Sequence, residues 1–180
     1  DIVNGGHLTM ANRAMSYFDQ GAKYKEMMDL TDYYQYLVEL KEHFEERKGQ
    51  LMEQLEQTVR HLFTPRHLTF SIACDEDIKT MLEQPLMKLK QALYEDQPVA
   101  SLPEVPLTFE KEGFKTSSQV QYAACAGDFR KAGFTYTGAL LVLKMIFSYE
   151  YLWTNIRVKG GAYGCACTFG TFGIGYFTSY

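Results

Sequence analysis

Long apolar runs are missing from this chain. None approaches the roughly 20 residues that a membrane-spanning helix needs, so no membrane partner is expected. An excess of positive charge is missing too. The 18 Lys and Arg stand against 22 Asp and Glu, a net charge of −4, which excludes the basic face that nucleic acid demands. No nucleic-acid partner is expected. Cysteine is limited to Cys74, Cys125, Cys165 and Cys167, set in apolar patterns rather than in a small loop-rich framework. That favours reduced, buried thiols over disulfides. It goes with a cytoplasmic location, or an organellar matrix if a parent chain carries a removed targeting segment. Cys165 and Cys167 share one face of a strand pattern, but no further ligand stands near them for a metal. Neither a short-period repeat nor a low-complexity tract occurs. Proline is scarce, and three of its five copies, Pro98, Pro103 and Pro106, fall in one stretch that reads as a linker. The first thirty residues carry no secretory or transit pattern. The chain opens at Asp1 and closes at Tyr180 inside a strand pattern, so a fragment of a larger protein is expected.

What is present is an ordinary globular balance, 46% hydrophobic and 22% charged, enriched in Tyr and Phe. Helical spacing runs over 7–18, again from Lys23, and from Tyr33 to about Phe44 behind a Thr31-Asp32 cap. Leu51, Leu55, Val59 and Leu62 form an amphipathic stripe. Leu68, Phe70 and Ile72 alternate with smaller or polar residues, the signature of a strand. Asp75, Glu76 and Asp77 open a further helix, in which Pro85 predicts a kink or break near Gln84. Past the linker, Val120, Tyr122 and Ala124 predict a strand, and Gly127-Asp128 a loop. A long apolar helix is expected over about 136–156, then strands at roughly 164–169 and 173–180. The expected class is α+β, a helix-rich section plus antiparallel strands.

The most specific stretch is Leu152-Trp153-Thr154-Asn155-Ile156-Arg157-Val158-Lys159-Gly160-Gly161-Ala162-Tyr163-Gly164. A helix end gives way to two adjacent glycines, and two side chains able to donate hydrogen bonds, Arg157 and Tyr163, flank the break. Such a loop lets a long substrate approach the main chain while fixed donors meet its carbonyls. Taken alone, Arg157 could as well cap the helix and Tyr163 could pack at a strand start with its hydroxyl in water.

With Arg and Tyr six apart and Gly-Gly-Ala between them, this stretch resembles the arginine–glycine–tyrosine loop of pitrilysin/insulinase-type zinc metallopeptidases, most closely the presequence-protease branch. The resemblance implies parts of two metallopeptidase-like α/β sandwich domains. Residues 1–97 would be the end of a third such domain, 98–113 a Pro-rich linker, and 114–180 the beginning of a fourth. It implies a C-terminal-half fragment of a metalloendopeptidase that degrades unfolded peptides and works with an N-terminal catalytic half. Arg157 and Tyr163 would then be catalytic, and Gly160 and Gly161 would bind substrate through backbone geometry.

Zinc would sit outside this chain. Such peptidases hold it through His-x-x-Glu-His, and none of His7, His43, His61 and His67 opens that motif or His-Glu-x-x-His. The nearest, His43-Phe44-Glu45-Glu46, lacks the second imidazole and reads as a solvated helix face. No metal and no activity are expected of the fragment alone. The rival reading is a noncatalytic peptide-binding or scaffolding subunit of the same fold. The glycine-rich run Gly170–Gly175 lacks the Gly-Lys-Ser/Thr and following helix of a phosphate cradle.

Overall fold

The computed structural model describes residues 3–96, 98, 101 and 103–180. The expected boundary at 97 and part of the expected linker lie outside these residues. Among them, the chain is α+β. The helices are α1 (Gly6–Met15), α2 (Gln20–Asp29), α3 (Thr31–Glu42), α4 (Phe44–Leu62), α5 (Glu76–Gln91) and α6 (Ala139–Ile146). The strands are β1 (Ala123–Asp128), β2 (Cys165–Phe169) and β3 (Ile174–Ser179). Two compact units form, one from Asp1–Glu39 with Pro103–Tyr180 and the other from Leu40–Leu102.

In the first unit the strands form an antiparallel sheet in the order β1-β3-β2. Phe177 sits between Cys125 and Cys167 across the three strands. The same residue meets Phe147 of the long helical run edge-on at 5.9 Å. Tyr180, of opposite parity, stacks on His7 of α1 at 4.6 Å. Because neighbouring strand residues point to opposite faces, α1 and the long helical run cover different sides of the sheet. Small residues let α1 come close, and Thr9, Ala11, Asn12 and Ser16 are all buried.

Charge fastens the same unit. Asp19 caps α2 by accepting from the Ala22 amide at 2.8 Å. Glu26, wholly buried, accepts from Asn12 Nδ2 at 3.0 Å and from the Thr31 hydroxyl. Arg13 bonds Asp32 at 2.6 Å and Glu112 at 2.5 Å and lies 3.5 Å from Glu26. Lys23 shares Asp32 at 2.6 Å. Segment 103–114 thereby runs antiparallel along α2 and α1. Tyr24 donates to the Pro103 carbonyl, Gln20 exchanges two bonds with the Val105 backbone, and Phe109 packs on Tyr17 and Phe18.

The second unit holds α4 and α5. Intrahelical ion pairs such as Arg60–Glu56 at 2.7 Å line α4, whose apolar stripe Leu55, Val59 and Leu62 stays exposed.

Several expectations are corrected. Residues 68–73 form no strand: Phe70 and Ile72 are exposed, and no described segment offers the ladder that would turn alternation into a strand. Helix α5 runs unbroken through Pro85, losing only the bond that the missing N–H would make. The expected loop at Gly127-Asp128 is the end of β1, which starts three residues later than Val120. The single long helix becomes α6 followed by a π-helical segment, Phe147–Val158. All four cysteines are free, but only Cys167 is buried, while Cys74 and Cys125 are exposed.

Candidate functional site

The π segment ends where the sequence places its two glycines. Its wide register persists to the last turn, where the Lys159 amide donates to the Thr154 carbonyl at 3.1 Å. Isolated π turns are rare and recur at functional sites. The Gly161 amide then closes on the Arg157 carbonyl at 3.0 Å and the Ala162 amide on that of Ile156 at 3.2 Å. This is a Schellman-like stop widened by the π register. Gly161 takes φ +75°, the left-handed conformation that glycine adopts without steric cost. A Cβ on Gly160 would lie 2.5 Å from the Ile156 carbonyl oxygen. Both glycines therefore answer to the turn itself, and the Gly161 amide is spent within it.

The stop aims the two donors. Arg157 folds back along the segment so that its guanidinium lies 4.1 Å from the Trp153 ring centroid, and it stands 5.9 Å from the Tyr163 ring. Among the described residues no carboxylate pairs with Arg157. Tyr163 is 77% exposed. It stands just ahead of Gly164, which exchanges backbone bonds with Tyr180 at 3.0 and 3.1 Å and so prolongs the β2–β3 ladder by one pair.

Arg157, Gly160, Gly161 and Tyr163 thus lie together in one exposed turn. Sequence reasoning missed Trp153, which its position four residues before Arg157 could have signalled. It also missed Tyr180, which the pairing of Gly164 with Tyr180 brings beside Tyr163, and His7 and Tyr122, which pack against Tyr180. The Tyr163 and Tyr180 rings are 5.9 Å apart. Arg157 also touches the chemistry of β2: burial pushes the Cys165 thiol pKa up, while the Arg157 charge pulls it back. Among the described residues no group of three or more His, Cys, Asp or Glu could hold a metal ion.

Comparison with known proteins places this turn in a family context. Residues 111–180, which contain it, match the family described as PreP C-terminal domain. The chain is 29% identical over 183 residues, 99% of its own length, to Protein HypA of Clostridium perfringens. It is 26% identical over 170 residues, 93% of its length, to Presequence protease 1, chloroplastic/mitochondrial, of Arabidopsis thaliana. It spans only 18% and 16% of these relatives. The matches support a relation to the PreP-type peptidases.

Proposed function

We propose that this chain belongs to the C-terminal half of a zinc-dependent metalloendopeptidase that degrades unfolded peptides, and that it supplies substrate grip and a transition-state donor. On this reading residues 1–97 end a third peptidase-like domain and 114–180 begin a fourth, joined by 98–113. The N-terminal half is the partner that holds zinc, and the metal supplies the activated water there. A cytoplasmic or organellar-matrix setting goes with it.

The observation that carries the reading is the pairing of a guanidinium that has no carboxylate partner among the described residues with an exposed phenol in one turn, inside the stretch similar to the PreP C-terminal domain. Attack on a peptide carbonyl drives negative charge onto its oxygen, and a phenol held in place lowers that barrier without reorganising. The Tyr163 hydroxyl is the donor for that oxygen. Arg157, seated on Trp153, has lost much of its rotamer freedom and offers its planar fork to a substrate carbonyl or carboxylate. Gly160 and Gly161 keep the main chain bare of side chains between the two.

In the full-length protein, Tyr163→Phe should lower kcat for peptide cleavage by about 10² to 10³-fold, the loss expected of one oxyanion donor, with zinc content unchanged. Arg157→Met should act mainly on KM. Unaltered cleavage by Tyr163→Phe overturns the role of Tyr163. A full-length protein that neither contains zinc nor cleaves unfolded peptides overturns the peptidase reading.

A further inference from the structure

We infer that His7, Tyr122 and Tyr180 form a preorganised aromatic platform, continuous with Tyr163, that binds an aromatic or large apolar side chain of the peptide. This rests on the peptide-handling reading above and deepens it. His7 stacks on Tyr180 at 4.6 Å with 25° between the planes and lies 6.4 Å from Tyr122, near parallel at 29°. Tyr122 and Tyr180 are 6.2 Å apart, and Tyr163 extends the row 5.9 Å beyond Tyr180. These residues come from α1, from the residue before β1, from the end of β3 and from the turn before β2.

Two glycines seat the rings. A Cβ on Gly6 would lie 2.4 Å from the Tyr122 ring, and one on Gly164 2.7 Å from the Tyr180 ring. Both tyrosines therefore rest directly on backbone, where their positions are fixed before any ligand arrives, which limits the ordering cost of binding. The row also has an outlet. Tyr122 and Gly6 line a cavity of about 1340 Å³ bounded by α1, segment 109–117 and β1, so a peptide laid on the platform has room to continue along the fold.

Charge selects the occupant. Tyrosine faces attract cations, but Arg157 already stands 5.9 Å from the Tyr163 ring with no carboxylate partner among the described residues. A lysine or arginine side chain would meet that charge. A neutral aromatic or long aliphatic side chain gains stacking and burial without it.

The test uses the full-length protein and matched fluorogenic peptides that carry Phe or Ala at each position in turn around the cleaved bond. The wild type should favour Phe at one such position by about tenfold in kcat/KM, the order of one aromatic contact. In His7→Ala and in Tyr180→Leu that ratio should fall to near parity. A ratio that stays intact in both variants, or a wild type with no such preference, overturns the platform while leaving the peptidase reading in place. Calorimetric binding of the same peptides separates the two ideas. Phe-selective binding that the variants lose, in a protein that does not cleave, sustains the platform and overturns the peptidase. Absence of both cleavage and selective binding overturns both. If Tyr180→Leu loses its folded circular-dichroism spectrum, His7→Ala decides.

Discussion

Arg157 is where the residue scale has most to say. Its guanidinium is stacked on Trp153, close to Tyr163, and near enough to β2 to act on the Cys165 thiol. Burial raises that thiol's pKa and Arg157 opposes the rise. Removing the charge in Arg157→Met should leave less thiolate at pH 8 and slow alkylation of Cys165 by iodoacetamide. Peptide-level mass spectrometry reads the rate. An unchanged rate would mean that Arg157 does not face β2. Arg157 and Tyr163 were legible in the sequence because their spacing and the Gly-Gly break are local. Trp153 was half-legible, four residues away along a helix. His7 and Tyr180, separated by nearly the whole chain, left no sequence signal.

At the scale of elements, the turn that ends the π segment governs where both donors point. Alanine at position 161 would have to adopt φ near +75°, which costs an L-residue about 1–2 kcal/mol. No atom lies near the added methyl group, so Gly161→Ala should lower stability by that amount and no more. Gly160→Ala should cost more, because its Cβ meets the Ile156 carbonyl oxygen at 2.5 Å and the segment must shift. Thermal unfolding of both variants measures the order. A neutral Gly161→Ala would rule out the left-handed turn. The elements that differed from expectation did so for reasons that period alone does not encode. Alternation at 68–73 needs a partner strand to become β structure, and Pro85 removes one bond from α5 without ending it.

At the scale of the whole molecule, the Arg13 cluster ties the start of the chain to segment 103–114, within one unit but far apart in sequence. The hydrogen bond from Arg13, ahead of opposing burial, lowers the Glu112 pKa. Burial pushes Asp32 up, but bonds from Lys23 and Arg13 outweigh it and its pKa is lowered. Carboxyls lowered on folding stabilise the fold above their unfolded values, and that stability is lost as the pH falls through the lowered values. Tyr17 is pushed up to about 12 by burial and by its bond to Glu112, so its contribution is present below the ordinary tyrosine value and fades as the pH rises towards 12. The unit should therefore be equally stable from about pH 6 to 8 and weaken below about pH 4. Arg13→Met, which strands buried Glu26, should cost about 3 kcal/mol at neutral pH and flatten the acid limb in urea titrations. An acid limb unchanged in that variant would remove the cluster from the account.

The sequence by itself determined the class of fold, most helix positions, the two closing strands, and the turn carrying Arg157, Gly160, Gly161 and Tyr163. Those features follow from periodicity, capping and backbone freedom within a few residues. The tertiary structure alone decided that α1 returns to cover the sheet beside β3, that His7 and Tyr122 join Tyr180 next to the candidate donors, and that Arg13 gathers three carboxylates from three segments. Such contacts depend on strand register and on which faces meet. Only packing of the whole unit fixes these, because local sequence leaves many registers and pairings equally open.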